Sequence, residues 1–390
     1  MSGIVFWLCV LAVFYVYAGY PAFVYLLARV FRRTTTCAPI RPDVTVLFAA
    51  LNEEKVISKK LENSLALDYP REHLQILVVN DGSVDRTAEI VGQYRDQGVE
   101  LVNNPQRRGK LPAIKDAIKH VRGEIILFSD ADNYYPRDAL VETVKYFADP
   151  TVGAVSGGRN VLGESVLGNA EGLYWKYEEF IKRQESRLGS CVGVAGDLLA
   201  IRRDLYVPPP SNVINDDFYA ALSILKQGYR VIYAPEARSS HPVAGSEREE
   251  MERRARMVAG RYQVIFMFWK ALPWKSPLVL WQVVSHKYLR PLVPLFMILA
   301  LMANIFSLFG IQNASPGWLF LSFPYNWVFL GLQTVFYLLA WLGGKRKLPG
   351  MIGKLGYVPS FLVNSNVAAL QGLYRFLTSN QTVMWKKVER

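Results

Sequence analysis

Residues 125–136 read IILFSDADNYYP. An apolar run over 125–128 stops at two aspartates, Asp130 and Asp132, separated by one alanine. A short apolar run of β-favouring residues ending in polar ones reads as a buried strand. In an extended segment, positions i and i+2 project to one face, so the two carboxylates point the same way. Like charges this close repel unless a cation or hydrogen-bond donors neutralise them. Two readings follow. A divalent metal, Mg2+ or Mn2+, takes one or two carboxylates and completes its shell with phosphate oxygens. Alternatively, the pair is a solvated turn capping the helix that begins near Pro136.

Working outward, the pattern recurs. VTVLFAA (44–50) and LQILVVN (74–80) are apolar and rich in β-branched residues, and helical patterns fill 53–66, 85–97 and 110–121. Strands alternating with such helices predict βαβ units on a parallel sheet, an α/β fold. Ligands of these sheets sit outside the carboxyl ends of the strands. The acidic segments fall there: LNEE (51–54), with Asn52, Glu53 and Glu54; NDGS (80–83), with Asp81; and SDAD (129–132). Asp81 suits a nucleobase or ribose contact, or equally an Asx-turn. Glu53 and Glu54 also suit first-turn helix acids.

QRRGK (106–110) sets Gly109 and Lys110 at a helix start. Backbone amides and an ammonium there suit a phosphate; a solvated basic loop is the alternative. INDDFYAALSILKQGYRV (214–231) opens an amphipathic helix on Asp216 and Asp217, as caps or as a general base. EREEMERRARMVAGRYQ (247–263) is helical, with Arg253 and Arg256 on one face. That pair suits a diphosphate or anionic lipid headgroups. EGLYWKYEEF (171–180) offers Tyr174 and Trp175 to an acceptor or to packing.

The 390-residue chain is 51% hydrophobic, too apolar for an ordinary soluble enzyme, and the excess is localised. Residues 1–28 and 291–344 carry no charge. About 20 apolar residues cross a hydrocarbon core. The sequence therefore predicts one span in 4–28 and two in 291–344, turning at IQNASPG (311–317). The first run lacks a basic leader and exceeds a typical signal core, so it reads as a span. Arg29, Arg32 and Arg33 follow it, Lys287 and Arg290 precede the second span, and Lys345, Arg346 and Lys347 follow the third. The positive-inside rule puts all three clusters, and the soluble middle, in the cytoplasm. This basic excess beside the spans assigns the +12 net charge to membrane lipids rather than nucleic acid. Cys9, Cys37 and Cys191 have no ligand spacing, which fits a reducing compartment. Residues 356–374 are uncharged but carry amides and hydroxyls, and read as an interfacial or re-entrant helix.

In this order the motifs resemble the membrane-anchored branch of the family 2 glycosyltransferases, over about 44–265. These are relatives of the cellulose, chitin and hyaluronan synthases and of bacterial exopolysaccharide glycosyltransferases. The resemblance implies a GT-A (Rossmann-like, nucleotide-sugar-binding) fold, a cytoplasmic nucleotide-sugar donor, usually UDP-linked, and divalent Mn2+ or Mg2+. AALNEE matches the first donor loop, Asp81 the nucleoside-binding aspartate, Gly109 and Lys110 the glycine–lysine donor contact, and Asp130 with Asp132 the metal motif. GVAGDLLAIRRDLY (193–206) is similar to the acceptor-side segment, with Gly196, Arg202 and Arg203. NDD maps Asp217 onto the catalytic base and Asp216 onto its acidic neighbour. One departure matters. Processive synthases carry Gln-x-x-Arg-Trp where this chain has RRARM, so Arg253 replaces Gln, Arg256 is retained and Met257 replaces Trp. Methionine lacks a sugar-stacking face. The expectation is therefore transfer of one sugar, or few, to a lipid-linked or glycan acceptor.

The expected organisation is a transmembrane helix in 1–33, a cytoplasmic GT-A domain in 43–245 and amphipathic interfacial helices in 246–288. Two transmembrane helices follow in 289–344, then a basic loop and interfacial or re-entrant helix in 345–390.

Overall fold

The computed structural model describes residues 2–161, 166–241, 247–267, 269–309, 317–345 and 350–378. Among them, seven strands form one sheet: β1 (Val44–Ala50), β2 (Leu74–Asp81), β3 (Val99–Asn104), β4 (Ile125–Asp130), β5 (Val152–Val161), β6 (Leu199–Arg202) and β7 (Arg230–His241). Their order is β3-β2-β1-β4-β6-β5-β7. The expected parallel arrangement holds for β3, β2, β1 and β4. It fails at β6, which runs antiparallel to both β4 and β5, so the sheet is mixed.

All seven residues of β1 are buried because both sheet faces are covered. Val46 and Phe48 pack with Ile57 and Leu61 on one face, while Leu47 and Ala49 meet Ala113 and Ile114 on the other. The helices under these faces are shorter than the sequence patterns, at Ile57–Leu65, Thr87–Gly92 and Lys110–Ala117.

The chain divides into two compact units. One is built chiefly from Val24–Glu247 and Gln263–Val283, the other from Met1–Phe23, Arg248–Tyr262 and Val284–Asn380. Among the described residues, three helical runs are long and apolar enough to cross a membrane: Ser2–Val30, Pro277–Leu308 and Tyr325–Gly343. The second starts earlier than the sequence reading, so Lys287 and Arg290 fall inside it, and Lys287 is buried. Gly350–Leu377 is a single 28-residue helix. It packs on the helix Tyr325–Lys345, where a Cβ on Gly343 would lie 2.5 Å from the Gly356 carbonyl oxygen. Residues 311–316 of the expected 311–317 turn, the cations Arg346 and Lys347, and the Tyr174 side chain lie outside the described residues.

Candidate active site

Strand register brings the acidic segments together. Ala49 pairs with Asp130, Ala50 with Asn80 and Asp81 with Asn104, so the loops after β1, β2 and β4 leave one edge side by side.

The first two loops are latched to each other. The Asn52 amide donates to Ser83 Oγ (2.9 Å), the Glu53 amide to Thr87 Oγ1 (2.8 Å) and the Glu54 amide to Asp85 Oδ2 (3.2 Å). In return, Asn52 Oδ1 accepts the Val84 amide (2.8 Å) and Glu54 Oε2 the Arg86 amide (3.2 Å). Asn52 has φ +55°, a left-handed conformation that asparagine tolerates better than most residues. The helix begins only at Ile57, so Glu53 and Glu54 are loop residues rather than first-turn acids.

Asp81 is buried and both its oxygens receive backbone amides, Oδ1 from Arg108 (2.9 Å) and Oδ2 from Gly109 (2.8 Å). These two amides, just ahead of the helix start where the sequence suits a phosphate or a solvated basic loop, are thus committed to Asp81. Gly109 has φ +100° and caps the helix Lys110–Ala117, a position where glycine avoids strain. The turn aims Lys110 along the sheet edge.

The Asp130–Asp132 segment alternates as expected. Ser129, Ala131, Asn133 and Tyr135 are buried, while Asp130 and Asp132 are partly exposed on the open side. Lys110 Nζ lies 3.2 Å from Asp130 Oδ1 and 3.4 Å from Asp216 Oδ2. Burial opposes its charge, but Asp130, Asp216 and Asp217 outweigh that and raise the Lys110 pKa above the ordinary lysine range. Two hard-oxygen carboxylates on one turn suit Mg2+ or Mn2+ with water and phosphate completing the shell. No group of three or more His, Cys, Asp or Glu side chains placed to hold a metal gathers among the described residues.

Asp216 opens the helix Asp216–Lys226, and its N-cap is Asn215 rather than either aspartate. Gly196 backs directly onto Asp217: a Cβ there would sit 3.2 Å from the Asp217 Cβ. Lys110, Ser129, Gly196, Tyr206, Asp216 and Asp217 line one pocket.

Arg202 corrects the sequence reading. It pairs with Ile125, at the opposite end of β4 from Asp130. Its guanidinium donates to the carbonyls of Val152 (2.8 Å) and Phe147 (2.8 Å). Arg203 likewise donates to the Arg122 carbonyl (2.9 Å). Both hold the sheet's far edge and lie away from the acids. Arg253, Arg256 and Met257 lie on the helix Glu247–Met267, in the unit that contains Arg248–Tyr262. Trp175 packs against Arg159, whose guanidinium is 5.1 Å from the ring and pairs with buried Asp197 (2.9 Å).

Lys60 escaped the sequence reading. It is fully buried beneath the Asp130–Asp132 turn, where its Nζ donates to Ser129 and Asn133. Burial pushes its pKa down to about 7, against the pull of Asp130, Asp132 and Asp197. The available signal was a lysine within the stripe Ile57, Lys60, Leu61 and Ser64, whose spacing marks a buried helix face.

Acids, a bridging lysine and latched loops at one edge of a mixed sheet define a GT-A class of nucleotide-sugar-binding fold. Residues 45–207 match the family model for glycosyl transferase family 2, and this part of the chain is a family 2 glycosyltransferase domain. The chain is 29% identical over 201 residues to poly-β-1,6-N-acetyl-D-glucosamine synthase of Staphylococcus aureus, covering 49% of this chain and 48% of that one. It is 27% identical over 266 residues to β-monoglucosyldiacylglycerol synthase of Synechocystis sp., covering 64% and 55%. The chain thus spans about half the length of the curated relatives it matches. It shares its fold with the mannosyltransferase PcManGT from Pyrobaculum calidifontis, solved in complex with GDP-Man and Mn2+, with TM-score 0.67 and 24% identity over 95% of this chain and 99% of that one.

Proposed function

We propose that this chain is an inverting, membrane-anchored glycosyltransferase. It moves one sugar, or a few, from a nucleotide-sugar donor, UDP-linked, to a lipid-linked or glycan acceptor at the cytoplasmic face. The carrying observation is the Lys110 bridge, one ammonium between a donor-side carboxylate, Asp130, and a base-side one, Asp216. A diphosphate entering there meets a cation, and an acceptor hydroxyl beside Asp217 meets a base.

Asp217 takes the hydroxyl proton as the acceptor oxygen attacks the anomeric carbon. The bond from that carbon to the diphosphate oxygen breaks on the opposite face. A single displacement inverts the configuration, so an α-linked donor gives a β-linked product. Lys110, drawn from the acids to the departing diphosphate, stabilises the charge that develops there. Asp130 and Asp132 would hold a divalent cation, which when bound neutralises charge on the leaving group.

The Synechocystis relative, named for a glycolipid product, supports a lipid acceptor. The Staphylococcus relative, named for a polymer, favours a second reading, a processive β-polysaccharide synthase that also translocates its product. Product length separates the two.

The test is nucleoside diphosphate release by the detergent-purified chain across UDP-, GDP- and TDP-sugars with Mn2+. Release from one donor is expected, abolished in Asp217→Asn and by excess EDTA. Undiminished release in Asp217→Asn removes it as the base, and release in excess EDTA removes the metal role.

A further inference from the structure

The transfer chemistry leaves Lys60 unused. Its Nζ donates to Ser129 Oγ (2.7 Å), to the Asn133 carbonyl (2.8 Å) and to Asn133 Oδ1 (2.9 Å). These acceptors use all three N–H groups of an ammonium. Ser129 precedes Asp130 and Asn133 follows Asp132, so one atom grips both ends of the turn from its inner side. The rings of Tyr135 (4.2 Å to the centroid) and Phe48 (5.5 Å) face the same atom.

The grip extends to the loop behind the base. Asn133 Nδ2 donates to the Asp197 carbonyl. The Tyr135 hydroxyl lies 2.7 Å from that carbonyl and 2.8 Å from Ser129 Oγ. Asp197 follows Gly196, against which Asp217 packs. Lys60 therefore stands where the turn carrying Asp130 and Asp132 joins the loop that backs Asp217. A buried lysine is costly wherever an apolar residue would fill the same space. Its polar contacts all fall on this turn.

We propose that Lys60 is a positioning residue for the transfer reaction, fixing the Asp130–Asp132 turn and its placement relative to Gly196 and Asp217. The inference rests on the transferase reading above for the role of Asp130 and Asp132 as metal ligands.

The test titrates Mn2+ alone into the detergent-purified full chain, reading free Mn2+ by electron paramagnetic resonance, with thermal unfolding in parallel. Wild type, Asp132→Asn and Lys60→Met are compared. Wild type is expected to bind Mn2+ at a site that Asp132→Asn removes. Lys60→Met, still folded, is expected to bind about tenfold more weakly, the scale seen when groups supporting metal ligands are lost. Equal affinity with only a lower melting temperature makes Lys60 a core residue and overturns the proposal. Tighter binding overturns it too, because opposing charge rather than position would then be the effect. If wild type binds no Mn2+ at Asp132, the metal reading falls and this inference with it.

Should Lys60→Met fail to fold, Tyr135→Phe keeps the lysine and deletes the hydroxyl that, beside Asn133 Nδ2, joins the turn to the Asp197 carbonyl. Its kcat for nucleoside diphosphate release should fall about threefold or more at unchanged donor KM, the pattern of a contact that matters in the transition state. An unchanged kcat overturns the proposal.

Discussion

At the scale of single residues, Gly196 and Lys60 make the site falsifiable without touching a reacting group. Alanine at Gly196 would place a Cβ 3.4 Å from Asp217 Oδ2 and 3.2 Å from its Cβ, so Asp217 must shift by a few tenths of an ångström. Misplaced reacting groups cost rate far more than stability. Gly196→Ala should therefore lower kcat roughly tenfold with little change in melting temperature; steady-state kinetics beside thermal unfolding checks both. Lys60 adds a pH signature. Its folded pKa of about 7 lies below its unfolded value. The free-lysine pKa is about 10.4, so between the two the unfolded chain holds the extra proton and stability rises with pH. Wild type should gain stability from pH 7 to 9, by an amount on the order of a few kcal/mol. Lys60→Met should lose that slope; parallel slopes in the two proteins would show that Lys60 does not titrate there.

At the scale of elements, the latch between the first two loops predicts a local weakness. Gly82 has φ +71°, and a Cβ on it would lie 2.4 Å from the Arg107 amide nitrogen, backbone that cannot rotate away. Gly82→Ala should cost about 1–3 kcal/mol through strain and raise the donor KM by moving the loop around Lys110; a wild-type melting temperature would contradict the close packing. The same elements show what the sequence could reveal. Strands β1, β2 and β4 were legible because both of their faces are buried, leaving unbroken apolar runs. Strand β5 carries three glycines in VGAVSGGRNV, β6 has only four residues and β7 holds a proline and charges, so none presents a clear period. That gap explains Arg202. Its segment was recognised, but its end of the sheet depends on strand direction. Because β6 runs antiparallel to β4, Gly196 ahead of it reaches the acids and Arg202 at its close reaches the far edge. Lys60 was hidden for a different reason: three-dimensional acceptors, not neighbours in sequence, account for its burial.

At the scale of the whole molecule, the proposed topology can be tested with the chain's own cysteines. Cys9 and Cys191 are buried, while Cys37 is exposed, so a polar maleimide should report mainly on Cys37. Cys37 lies just beyond Arg29, Arg32 and Arg33, the cations that the positive-inside rule holds in the cytoplasm. Partial burial, together with Glu236, Asp149 and Glu142, raises its thiol pKa against the opposing pull of Lys145. The thiolate is the reactive form, so labelling should be slow at neutral pH and quicken as the pH rises toward 9. A membrane-impermeant maleimide should then modify inverted vesicles and detergent-solubilised protein but not intact cells, and Cys37→Ser should abolish the signal. Labelling of intact cells would put the residues after the first span outside. It would also separate the site from a cytoplasmic sugar nucleotide, so this measurement bears on the proposed reaction as directly as on the topology.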